Sequence, residues 1–124
     1  MIGEFLIVCV AGGVGAALRF IVDGTIRHRT PPSFPYATMV INITGSLVLG
    51  LLAGLVLGQV VSHHWQLIIG TGMMGGYTTF STASVETVRL VEEGRWRAGL
   101  INGLGMLVLC TAAAAGGLAL GLTL

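Results

Sequence analysis

Four long apolar runs separated by short polar stretches set the layout of the chain: about Ile2 to Val22, Ala37 to Val60, Trp65 to Val88 and Ala98 to Thr123. Each supplies the roughly 20 residues a helix needs to cross a bilayer. The pattern predicts an all-α membrane protein with four transmembrane helices in a single domain, residues 1–124. The third run departs from the others. Between Gly72 and Thr87 it carries the pair Gly75-Gly76 and the hydroxyls of Thr78, Thr79, Ser81, Thr82, Ser84 and Thr87. Irregular backbone is not tolerated against lipid, where an unpaired N–H or C=O has no water to turn to. The expectation is therefore a third helix that breaks at mid-membrane near Gly75-Gly76, resumes near Thr79, and turns its freed polar atoms toward protein or a water-lined path. Carbonyls before such a break suit a hard cation, and the helix N-terminus after it attracts an anion. The plainer reading of the hydroxyls is back-bonding to the preceding turn; six on one segment favour a polar lining.

The other runs read as the scaffold for that segment. Helix 1 holds Gly12, Gly13, Gly15, Ala16 and Ala17, small residues that admit a close neighbour. With Glu4 where a signal peptide has basic residues, it reads as a retained helix. Arg19 is placed at the helix end near headgroups, or in a structural role inside the bundle. The stretch Asp23 to Pro35, with Pro31, Pro32 and Pro35, predicts an interfacial loop. Helix 2 carries Ser46, Gly50, Gly54 and Gly58 on one face, a tight contact within the chain or with another subunit. Asn42 sits one turn earlier on that face, either as interhelical glue or as a ligand group. Glu86 and Arg89, three apart, predict an ion pair. His63 and His64 are adjacent and face apart, which argues against a shared metal. Helix 4 reads as a packing helix whose one strongly polar side chain is Asn102.

Composition sharpens the class. The chain is 54% hydrophobic and 9% charged, against about 25% charged in soluble domains, with a mean hydropathy of +0.92. A net charge of +1 leaves no nucleic-acid footprint. Cys9 and Cys110 lie in apolar runs and read as small buried hydrophobes without a disulfide. No nucleophile with a base, metal cluster or phosphate loop can be assembled, so an enzyme is not expected. All six basic side chains, Arg19, Arg27, Arg29, Arg89, Arg95 and Arg97, fall on or beside two loops on one side. That bias predicts cytoplasmic loops and both termini outside the cell membrane.

The string Gly75-Gly76-Tyr77-Thr78-Thr79-Phe80-Ser81-Thr82-Ala83-Ser84-Val85-Glu86, with Gly12-Gly13-Val14-Gly15 through Leu18-Arg19-Phe20 and Val40-Ile41-Asn42-Ile43-Thr44-Gly45-Ser46, resembles the Fluc (CrcB-type) fluoride channel family. The resemblance covers the whole chain. It implies an antiparallel dimer with two pores along the subunit interface, passive and highly fluoride-selective conduction, and a central structural Na+ held by the backbone carbonyls of Gly75 and Thr78. It also implies that Phe80 is the first of two pore phenylalanines, that Asn42 is the pore-facing amide, and that Thr38, Ser81, Thr82 and Ser84 form a hydroxyl track. Cys110 falls where some relatives have a pore serine, and Arg19, Gly76 and Thr79 are carried over as structural positions. The departure is Ala83, where the family usually places its second phenylalanine.

Two questions stay open at this level. The one-sided arginines favour a subunit of fixed orientation pairing with an oppositely oriented paralogue over a dual-topology homodimer. Ala83 leaves room for a non-conducting or half-pore subunit of a heterodimeric channel. A proton-coupled multidrug exporter is disfavoured, because Glu4, Asp23 and Glu86 lie near helix ends while such a carrier needs a carboxylate at mid-membrane.

Overall fold

The computed structural model describes all residues 1–124 and contains no strands. Helix α1 (Ile2–Arg29) leads to α2 (Tyr36–Leu57); the third span is split into α3 (residues 63–77) and α4 (Ser81–Glu92); α5 (Trp96–Thr123) closes the chain. Helices α1, α2 and α5 are each long and apolar enough to cross a membrane.

The first helix runs past the expected boundary at Val22. Nothing before Pro31 breaks it, and Arg27 Nε donates to Asp23 Oδ2 at 2.8 Å one turn back, so the polar segment continues the helix instead of leaving it. The connection shrinks to residues 30–35, and Arg19 lies inside α1 and does not close it. The added turns also change an ion pair. Arg27 Nη2 reaches Glu86 Oε2 at 3.3 Å, so Glu86 is tied to α1 and not to Arg89, which remains exposed on α4. At the same end Gly94, with φ +78, makes the tight turn after α4, and the Arg95 guanidinium donates to the Ser33 carbonyl. At the opposite end His64 approaches Glu4 at 3.2 Å.

Two seams hold the bundle. In one, α2 lies on α5 with almost no side chain between: a Cβ on Gly50 would stand 2.0 Å from the Ala114 carbonyl oxygen, and one on Gly117 would stand 2.4 Å from that of Leu47. The stripe expected on helix 2 is thus a contact within the chain. In the other, α1 meets α3, where a Cβ on Gly15 would come within 1.9 Å of Met73 O and one on Gly76 within 2.0 Å of Gly12 O. Hydrocarbon gives no hydrophobic drive between helices, so close van der Waals contact of this kind has to supply it. Gly50→Val is expected to cost about 3 kcal/mol or more by overpacking. Gly13, with nothing within 4 Å of its Cβ position, should accept alanine with no loss. Thermal unfolding of both variants in detergent checks the contrast.

Candidate functional site

The site is built where the third span stops winding. Helix α3 contains a wide, π-helical stretch from Gln66 to Met74 and ends at Tyr77; Thr78 is extended (φ −79, ψ 160), and α4 starts at Ser81. The interruption is Thr78-Thr79-Phe80, a few residues beyond the expected Gly75-Gly76. Both glycines are helical. Gly76 is needed for the seam with α1, where a side chain would collide with backbone, so it serves close approach and not a bend.

Asn42 on α2 closes the interruption. Its Oδ1 accepts the Thr79 N–H at 2.9 Å, and its Nδ2 donates to the Thr79 carbonyl at 2.8 Å. The second Nδ2 hydrogen goes to Met106 Sδ on α5 at 3.2 Å. One side chain thereby satisfies both backbone polar groups of a residue that the helix has abandoned, the kind of partner buried backbone requires. Because Thr79 N–H is turned to Asn42, it does not close the helical bond to the Gly75 carbonyl. The oxygens of Gly75 and Thr78 receive no hydrogen bond, and Gly75 lies on an exposed face. Two free carbonyl oxygens are hard-cation donors.

The hydroxyls divide between the two readings. Thr78, Ser84 and Thr87 donate back to the carbonyls of Met74, Phe80 and Ala83 at 2.8, 2.9 and 2.8 Å, as ordinary helix hydroxyls do. Thr79 Oγ1, buried, accepts the Thr82 N–H at 3.2 Å and so serves the start of α4; it also stands 3.4 Å from Ser81 Oγ. Back-bonding leaves each oxygen with lone pairs but spends its proton.

Beside the interruption runs a groove of about 550 Å³ lined by α2, α4 and α5. Asn42, Thr78, Thr79, Phe80, Ala83, Ser84 and Cys110 line it, and no lining side chain carries a formal charge. Ser81 and Thr82 are outside the lining, as is Thr38, which is 1% exposed and packed inside the fold. Phe80 is 88% exposed, projecting from the interruption with little packed on its ring. Ala83 leaves its stretch of wall without a ring. Arg19 is half-buried in α1 and is likewise not part of the groove.

Two lining residues of α5 were given no site role from the sequence, although Asn102 stands out there as the one strongly polar side chain of helix 4. Asn102 is fully buried; its Nδ2 donates to Thr87 Oγ1 at 2.8 Å and its Oδ1 has no partner. Met106, 6% exposed, stands between Asn102 and Cys110 on α5. The spacing of four from Asn102 to Met106 to Cys110 places all three on one helix face; reading helix 4 as mere packing passed over it. A smaller cavity of about 200 Å³ lies at the arginine-rich end, lined by residues 30–37 with Arg27, Glu86, Arg89 and Arg95. There Glu86 Oε1 is buried without a partner.

Comparison with known proteins agrees over nearly the whole chain. The family model described as CrcB-like protein, Camphor Resistance (CrcB), matches residues 6–118. A protein of Leifsonia xyli subsp. xyli named "Fluoride-specific ion channel FluC 1" is 53% identical over 116 residues, 94% of this chain and 85% of that protein. "Fluoride-specific ion channel FluC 2" of Cutibacterium acnes is 45% identical over 115 residues, covering 92% of this chain and 94% of its own length. A protein of Mycolicibacterium paratuberculosis with the same name is 47% identical over 107 residues, 86% of this chain and 84% of that protein.

Proposed function

This chain belongs to the CrcB family, and on that premise we infer that it is a channel, not an enzyme, that lets fluoride leave the cell passively through the groove beside the interrupted third span. The observation that carries the reading is the groove itself. It is uncharged, lined by amide, hydroxyl and thiol groups at the level of the interruption, and bordered by an aromatic ring that stands free of the fold. A small hard anion loses water only where donors replace it; the Asn42 N–H that meets only the Met106 sulfur and the ring of Phe80 border the groove for that, and the Ser84 hydroxyl would join them by turning its proton away from the Phe80 carbonyl.

The groove is open along one side, and polar groups at membrane depth need cover. The cover we infer is a second subunit inserted the opposite way up, which turns the groove into a closed path. Gly75 and Thr78 fit a sodium ion at that interface, since their carbonyl oxygens are free. Two oxygens are few for a hard cation, which usually takes about six, and the second subunit would add its own pair. Sodium there would hold the interrupted segments together. Flux and dimer stability are therefore expected to fall when sodium is replaced by N-methylglucamine.

The partner follows from charge. Arg27, Arg29, Arg89, Arg95 and Arg97 all lie at the end that joins α1 to α2 and α4 to α5, and a basic bias fixes orientation. The inferred partner is thus an oppositely inserted relative, with both termini of this chain outside. Epitope tags exposed on both membrane faces in equal amounts would replace that relative with a second copy of this chain. A fluoride-electrode assay tests the function. Vesicles holding this chain alone, or with an oppositely inserted relative, should release fluoride and retain chloride. Fluoride retained in both cases ends the reading, and release from the first shows self-pairing.

A further inference from the structure

We propose that the thioether of Met106 is a displaceable placeholder on the anion-facing N–H of Asn42, and that a passing fluoride takes its position. The proposal rests on the fluoride-channel reading above and adds a residue to it. Asn42 has four hydrogen-bonding positions, and three are engaged: two by Thr79 and one by Met106. Oδ1 and one Nδ2 hydrogen pair with the Thr79 peptide at 2.9 and 2.8 Å; giving up either would orphan backbone in hydrocarbon. The remaining Nδ2 hydrogen points at Met106 Sδ, 3.2 Å away. It is the one donor of this amide that can be exchanged without undoing the clamp.

The two competitors for that hydrogen differ greatly. A thioether sulfur is a weak acceptor, whereas hydrogen bonds to an ionised acceptor are roughly twice as strong as neutral ones. Methionine is also the side chain best suited to give way, being unbranched with three rotatable bonds and a soft, adaptable surface. Asn42 and Met106 both line the groove, and Phe80, Ser84 and Cys110 border the same space. Swinging Met106 aside therefore needs no movement of the helices. In the absence of fluoride the sulfur keeps the N–H from standing unsatisfied. When fluoride arrives, the sulfur leaves, the Thr79 clamp stays, and the anion meets a donor already held in place. Chloride, larger and a poorer acceptor, displaces the sulfur less readily.

The test uses the assembled protein in detergent micelles, labelled with 15N-asparagine and with 13C at the methionine methyls. Asn42 and Asn102 are the two asparagines in the chain, so two side-chain amide pairs are observed, and Met106→Leu identifies the Met106 methyl among five methionines. Sodium fluoride titration is expected to shift the Met106 methyl and one Asn42 amide proton together, leaving the proton bound to Thr79 in place; sodium chloride at the same concentrations shifts neither. Met106→Leu keeps the volume and removes the acceptor that competes with the anion, so its fluoride efflux should exceed wild type, with the assembly intact by size-exclusion chromatography. Unmoved resonances under fluoride overturn the proposal. So does a loss of efflux of about tenfold or more in an intact Met106→Leu assembly, because the sulfur would then be required and not displaced. Wild-type vesicles that retain fluoride would end the channel reading instead, and the titration would still decide the role of Met106.

Discussion

Asn42→Leu is expected to unfold the interrupted span and to abolish fluoride efflux. The leucine fills the space but leaves the Thr79 N–H and C=O without partners, and each buried orphan costs ~1–3 kcal/mol, so the pair is expected to cost ~2–6 kcal/mol together. Stability falls along with transport. The melting temperature in detergent should drop and the assembled species should diminish in size-exclusion chromatography. Asn42→Asp is the informative companion: it keeps an acceptor for the Thr79 N–H but has no donor for the Thr79 carbonyl or for an anion. It should retain part of the stability and none of the flux. A stable, fully conducting Asn42→Leu protein would remove Asn42 from both roles.

Phe80→Ala is expected to give the opposite signature, a loss of flux with no loss of fold. The ring is 88% exposed, so its removal takes away little packing within the subunit, and the backbone of the interruption is held by Asn42 and not by the ring. What goes is a ring that lines the groove and carries a weakly positive rim at its edge. With Ala83 already bare on α4, no second ring in this subunit compensates. Efflux should fall by roughly tenfold or more while melting and assembly stay as in wild type. Full efflux from Phe80→Ala vesicles would contradict the assignment.

These two variants separate what the sequence could and could not say. Four apolar runs and a polar insertion in the third are visible in composition alone, because a bilayer demands long apolar stretches and forbids unpaired backbone in them. The place of the interruption was not visible. A glycine pair reads equally as a bend or as a flat surface for a neighbouring helix, and Gly76 turned out to be flat against Gly12. The choice depends on what lies across from it, and that is a property of the fold. Glu86 repeats the lesson: spacing offered Arg89, but the extra turns of α1 delivered Arg27. Thr78, Ser84 and Thr87 line the groove but donate to carbonyls of the preceding turn, since a helix hydroxyl that can reach its own carbonyl generally does, whereas Ser81 and Thr82 fall outside the lining. Asn102 and Met106 were undercounted, since an isolated amide and a methionine on an apolar helix give no pattern until α2 and α4 are set beside them.

The pairing of Asn42 with Thr79 also bears on how the molecule moves. A side-chain amide that accepts from the N–H and donates to the C=O of one residue repeats the two-bond link between paired residues of antiparallel β-strands, transplanted here into a bundle without a single strand. Such a link resists both twist and stretch, so the place where the third span is discontinuous is a rivet and not a hinge. Transport of the kind proposed would then have no swinging door to rely on, and discrimination would fall to a standing wall in which side chains alone give way.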